Sequence, residues 1–253
     1  MPYKIQRYGW IPDLPDQRDY KFVAPFEVGQ ALPPSVDLRS TCPPVYDQGQ
    51  LGSCTANAIA AAIEFDRIKE DLTPIFAPSR LFIYYNERVI EGTVNTDSGA
   101  QIRDGIKSVG GQGACTEDSW SYDITKYQDQ PPDPCYQEAL QHRAILYQRI
   151  SGIDQMKACL VSGYPFVFGF TVYESFESQD VAKSGHAPMP GPNEKVLGGH
   201  AVLAVGYDDS QNWFIIRNSW GTGWGMKGYF TLPYDYLTNN NLADDLWTIR
   251  LVQ

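Results

Sequence analysis

The segment from Cys54 to about Lys69 constrains this chain more than any other. It reads Cys-Thr-Ala-Asn-Ala-Ile-Ala-Ala-Ala-Ile-Glu-Phe-Asp-Arg-Ile-Lys, a run rich in helix-forming residues. Its first two turns are apolar or small nearly all round, so the predicted helix has no face suited to water and must sit at the centre of something. Ser53 stands where an N-cap belongs, which puts Cys54 in the first turn. A chain of 253 residues can bury such a helix without disulfide staples.

The rest of the pattern divides in two. Pro74 and Pro78 separate the central helix from a second, expected over 79–90. A third is expected over 99–109, with Ile102, Ile106 and Val109 on one face and Gly110-Gly111 as its stop. From about residue 144 strands are expected: over 144–150, over 165–172 and near 200–207, 212–218, 227–232 and 246–252, with a helix over 153–162. Asp208-Asp209-Ser210-Gln211 reads as a hairpin turn. The expected architecture is an α+β fold of two lobes, mainly helical over 32–143 and mainly antiparallel sheet over 144–253, with a cleft between them. Residues 1–31, rich in Pro, Asp, Gln and aromatics and without a period, read as an extended arm.

Composition removes several function classes. The net charge is −10 and no Lys/Arg cluster occurs, which argues against nucleic acid. No apolar stretch approaches the length of a membrane span, and the first thirty residues lack an apolar h-region, so a soluble chain with its compartment left open is expected. The five cysteines, Cys42, Cys54, Cys115, Cys135 and Cys159, include no Cys-x-x-Cys and none has a His at zinc spacing, so neither metal nor other cofactor is expected. Their odd number leaves at least one unpaired, and the other four could pair in three ways or stay reduced. Gly223-x-Gly225-x-x-Gly228 matches a dinucleotide fingerprint only formally, since no helix follows it.

Cys54, at a helix N-terminus behind Gly49, Gly52 and Ser53, has one of the features that lower a thiol's pKa. Its acid/base partner must come from three histidines. His142, in a polar stretch read as helical, and His186, in a loop before Pro188, suit solvated surfaces. His200 is placed to open a strand after a glycine pair, where its ring can face a cleft. Asn218, ending the next strand, can hold the tautomer of that ring.

These residues carry a family resemblance. Gln48-Gly49-x-x-Gly52-Ser53-Cys54 resembles the active-site signature of papain-like cysteine peptidases. Gly199-His200-Ala201-Val202 resembles that family's histidine strand, and Asn218-Ser219-Trp220-Gly221-Thr222-Gly223-Trp224-Gly225 its asparagine motif. Leu32-Pro33-Pro34-Ser35-Val36-Asp37 is similar to where mature members begin, so the likeness runs from about 32 to 253. The Cys-to-His separation, 200 − 54 = 146, lies within the family's range of about 130–150.

The resemblance implies a thiol endopeptidase. Cys54 would be its nucleophile, His200 the acid/base, Asn218 the orienter, and Gln48 with the Cys54 backbone N–H the oxyanion donors. Trp220 would cover the His–Asn bond. Ser98-Gly99 would pair with substrate backbone, and Gly169 and Gly199 would leave the main specificity pocket roomy. Leu51 and Thr55 depart from plant and animal members and point to a divergent bacterial branch of xylellain type. The partner implied is a peptide or protein acted on by a monomer. An acyltransferase or amidase with the same triad, and a silent binding protein, are the competing readings. The arm would be either an inhibitory strap in the cleft, making the chain a zymogen, or a clamp on the back surface.

Overall fold

A computed structural model describes residues 8–25, 31–143 and 146–250. Helix α1 spans Cys54–Lys69 and is buried from Cys54 to Arg67, as a helix apolar on every side must be. Around it stand α2 (Arg80–Glu91) and α3 (Ile102–Gln112) on one side and the sheet on the other. Ser79 caps α2, its Oγ accepting from the Phe82 N–H at 3.1 Å.

The strands are β1 (Ser35–Asp37), β2 (Leu146–Arg149), β3 (Phe166–Tyr173), β4 (Val196–Asp208), β5 (Trp213–Arg217), β6 (Tyr229–Pro233) and β7 (Ala243–Arg250). They pair antiparallel in the order β2-β7-β3-β4-β5-β6, with β1 also on β4. The long β4 joins two regions: its first half pairs with β3, and its second half pairs with β5 along one edge and β1 along the other, past an irregularity at Ala204/Gly206. Gly206 is needed there, since a Cβ would lie 2.3 Å from the Val36 carbonyl oxygen.

Side chains alternate across this strand. Ala201, Leu203 and Val205 join α1, α2 and α3 in one core, while Val202 and Ala204 join Phe166, Phe168, Phe170 and Phe230 in a second. The period of two thus lets one strand serve both cores. The same alternation turns Gly169 and Gly199 toward the side of α1.

Several expectations shift. Helix α3 starts at Ile102 rather than 99, because Ala100 is extended and its backbone pairs with the arm. It runs through Gly110-Gly111 to Gln112 and is stopped by Gly113, whose φ of 79° and approach to the Ala139 carbonyl suit glycine alone. Strand β4 begins at Val196, so His200 lies inside the strand rather than opening it; Gly198 and Gly199 still pair with Val172 and Thr171. His142 lies in a turn after α4 (Asp133–Ala139) and rests on Phe76 with ring centroids 4.4 Å apart. Of the expected strands, 144–145 and 251–252 lie outside the described residues. The remaining helices are α5 (Ile153–Val161), α6 (Gln179–Ser184) and α7 (Tyr234–Thr238). All five cysteines are free thiols. No described helix is long and apolar enough to cross a membrane.

Candidate active site

Cys54 begins α1, and the backbone N–H groups of Thr55, Ala201 and Gly9 are directed at its sulfur. Ser53 occupies the N-cap position without capping. Its hydroxyl instead meets Tyr122 Oη and accepts from Asn57 Nδ2 at 3.1 Å. An uncapped helix start leaves its first N–H groups without intrahelical partners, facing whatever charge forms at Cys54.

The loop before the helix is tied down on two sides. Gln48 N–H donates to the Ser219 carbonyl at 2.8 Å, its Oε1 accepts from Ser219 Oγ at 2.7 Å, and its Nε2 donates to the Leu51 carbonyl at 2.9 Å. Gly52 N–H donates to Asp97 at 3.0 Å. Gln48 Nε2 carries two hydrogens, so one remains after the Leu51 bond.

The tautomer of His200 follows from its neighbour. Asn218 Oδ1 accepts from the Ser219 N–H at 2.8 Å, which identifies it as the amide oxygen, and it lies 2.8 Å from His200 Nε2. Nε2 must therefore carry the hydrogen, leaving Nδ1 as a bare acceptor; Nδ1 is buried and makes no hydrogen bond. Trp220 stacks on the imidazole at 5.0 Å and 27° and is itself 1% exposed, so it covers the His–Asn bond from water.

The arm crosses this site. Trp10 N–H donates to the Gly199 carbonyl at 2.9 Å, Ile11 N–H to the Ala100 carbonyl at 3.0 Å, and Ala100 N–H to the Gly9 carbonyl at 2.7 Å. The arm is held by Ala100, one residue beyond the expected Ser98-Gly99. The Gly99 N–H is taken by Tyr84 Oη at 3.1 Å, and Ser98 Oγ turns to Thr93 at 2.9 Å.

Gly9 touches the loop so closely that a Cβ would lie 1.7 Å from the Gly52 oxygen. Trp10 fills the space over Gly169 and Gly199, where a Cβ would come within 1.9 Å and 2.6 Å of it. At the end of that pocket the indole Nε1 donates to buried Asp245 Oδ2 at 3.0 Å. Tyr8 lies by Gly198 and bonds Glu177.

Under this cover the pair is held uncharged. Burial pushes the Cys54 thiol up to about 12, against the help of the three N–H groups. Burial pushes His200 down to about 4, only partly offset by Asn218. Both shifts arise mainly from exclusion of water.

Cys54, His200, Asn218, Gln48 and Trp220 thus converge in one place, with Gly169 and Gly199 lining the adjoining pocket. Sequence reasoning missed Gly9, Trp10, Asp245 and Tyr122. The Gly9-Trp10 pair was the one visible signal, a small residue beside a large one in an otherwise irregular arm. Among the described residues, no group of three His, Cys, Asp or Glu could hold a metal.

Residues 32–246 match the profile described as papain family cysteine protease. The chain belongs to this family. Within it, the chain is similar to xylellain, a cysteine protease from Xylella fastidiosa, at 50% identity and a TM-score of 0.91 over 97% of this chain and 96% of that one. An uncharacterized peptidase C1-like protein of Acanthamoeba polyphaga mimivirus is 44% identical over 98% of this chain and 88% of its own length. A cathepsin B-like protein of Giardia intestinalis is 31% identical over 79% of this chain and 69% of its own. The papain-family match starts after the arm.

This cysteine peptidase also has local reasons for its departures. Thr55 donates to buried Glu87 at 2.8 Å, and Leu51 packs in the core beside α1.

Proposed function

We propose that this chain is a thiol endopeptidase whose working set is Cys54, His200, Asn218 and Gln48, and that residues 1–31 hold it closed as a short inhibitory segment. The observation that carries the reading is the fixed tautomer of His200, with a bare Nδ1 on the side away from Asn218. Once water and substrate replace the arm, the thiol proton passes to Nδ1 and the thiolate attacks the peptide carbonyl carbon. The resulting oxyanion is met by the free Gln48 Nε2–H and the Cys54 N–H. The imidazolium then protonates the leaving amine, giving a thioester. His200 next takes a proton from water, whose attack releases the acid and restores the thiol. Gln48→Ala is expected to lower kcat/KM by about 10²–10³ with little change in KM. Steady-state hydrolysis of a fluorogenic peptide checks this, and an unchanged kcat would remove Gln48 from the set.

Two features support the arm as a block that is not itself cut. The arm offers the sulfur the Gly9 N–H, and the Gly9 carbonyl is bound by Ala100 instead of facing Gln48. The enzyme is read as a monomer acting on peptides, with neither cofactor nor nucleic acid needed.

The arm also points to substrate preference. When Trp10 and the neighbouring segment leave, Asp245 Oδ2 loses both of its donors, Trp10 Nε1 and the Asp13 N–H. A substrate side chain that reaches this pocket with a charged N–H donor replaces them. Peptides with Arg in that pocket are expected to be cleaved about tenfold or more faster in kcat/KM than those with Leu. Asp245→Asn should erase the difference, and a Leu preference in the native enzyme would contradict the assignment.

A further inference from the structure

The joint between arm and body is built from carboxyls. Asp13 and Asp245 have side chains 0% and 1% exposed. Asp13 N–H donates to Asp245 Oδ2 at 2.7 Å, so the Asp13 backbone brings the two acidic residues together across the joint. Among the described residues, the Asp13 carboxyl accepts hydrogen bonds from two neutral N–H groups, the Arg103 backbone N–H at 3.0 Å and Trp247 Nε1 at 2.9 Å.

The nearby cations are committed elsewhere. Arg103, from α3, forms a two-pronged pair with Asp19 of the arm, at 3.1 and 2.6 Å. Arg149, from β2, places one nitrogen on both Asp244 and Asp245 of β7, at 2.8 and 2.9 Å, while its other nitrogen is 3.7 Å from Asp13 and 3.5 Å from Asp19. Of the arm's other charges, Asp16 is paired with Arg18, and Lys21 lines the cavity of about 870 Å³ that adjoins Asp13 and Asp244. Four carboxyls therefore surround two guanidiniums, and the two most deeply buried share a single one. Two buried carboxylates so placed cannot both stay charged cheaply.

We propose that closing the arm takes up one proton, held on the Asp13 carboxyl beside Asp245, so that the arm is released as pH rises rather than as it falls. This rests on the reading that the arm closes the cleft. In the free arm Asp13 is in water and titrates as an ordinary carboxyl. In the closed form burial, then the charge of Asp245, pushes it up to about 7. The closed form thus keeps a proton that the open form gives up. Closure is strongest below the ordinary carboxylate range, weakens by up to about tenfold per pH unit through the interval between the two values, and levels off above about 7.

The test compares full-length native enzyme with full-length Trp10→Ala, which lacks the pocket anchor. Their kcat/KM ratio is measured on one small fluorogenic peptide from pH 4.5 to 8, so that pH effects on the chemistry common to both cancel. The native-to-variant ratio is expected to rise at least tenfold between pH 5 and 7 and then flatten. In Asp13→Asn, which carries no titrating carboxyl at 13, the ratio should change less than about twofold over the same range. A native ratio that is constant or falls with pH overturns the proton lock, as does a native-like slope in Asp13→Asn. If Trp10→Ala is no more active than the native enzyme at any pH, the closing role of the arm fails instead.

Discussion

Full-length Trp10→Ala should hydrolyse small peptides with a kcat/KM about 10²–10³ above the native enzyme under conditions where the arm is closed. Trp10 is 8% exposed, lies directly over Gly169 and Gly199, and donates its indole N–H to a buried carboxylate. Truncating a buried Trp to Ala removes about 3–5 kcal/mol, and each ~1.4 kcal/mol is tenfold in an equilibrium. The whole of that loss falls on the closed state, because in the open state Trp10 is in water. Activity then rises until the open form predominates, which sets the ceiling of the effect.

Gly9→Val should act in the same direction by another route. A Cβ at residue 9 would lie 1.7 Å from the Gly52 oxygen, so the arm cannot lie in the cleft with any side chain there. Parallel activation by a lost contact and by a clash would tie the block to this path. Activity unchanged in both variants, with the proteins folded by circular dichroism, would place the arm's role elsewhere.

Cys54→Ala, made in the Trp10→Ala background so that the starting rate is high, should lose turnover by about 10⁴-fold or more, as nucleophile deletions do elsewhere. The side chain stands at the start of a buried helix, among the N–H groups of Thr55, Ala201 and Gly9, and Ala201 directly follows His200, whose other ring nitrogen is anchored on Asn218. Nothing else described at the site is a nucleophile of comparable strength. Residual hydrolysis within tenfold of the parent would mean that the bond is broken by another group.

Much of this was legible in the chain, and the exceptions have physical causes. Helix α1 falls where its composition required, because a segment apolar on all faces has no alternative environment. The strands after residue 146 were visible from β-branched and aromatic runs. Their ends were less so: β4 starts at Val196 because Gly198 and Gly199 can pair with β3 although glycine carries no strand signal. The start of α3 was misplaced because Ala100 is drawn into pairing with a segment ninety positions earlier, which local propensity cannot register.

The same holds within the site. Cys54, His200, Asn218 and Gln48 could be singled out because chemistry restricts which residue types suit such roles and the motifs sit close around them; the fold brings them together. Asp245 was not, since an acid in the last strand looks like solvated surface until the fold buries it against Trp10 and Arg149. Ser53 fits an N-cap by sequence, yet Tyr122 and Asn57, distant or one turn on, claim its hydroxyl.

The most direct test of the whole account is the rate at which iodoacetamide alkylates Cys54, followed by peptide mapping in the native enzyme and in full-length Trp10→Ala. Mapping separates Cys54 from the four other thiols. Labelling is expected to be slow in the native enzyme, where the thiol is buried and held protonated, and faster in Trp10→Ala by a factor comparable to its gain in kcat/KM. Equal rates in the two proteins, with Trp10→Ala folded and more active, would contradict it, because the arm would then be acting on something other than access to a Cys54 nucleophile.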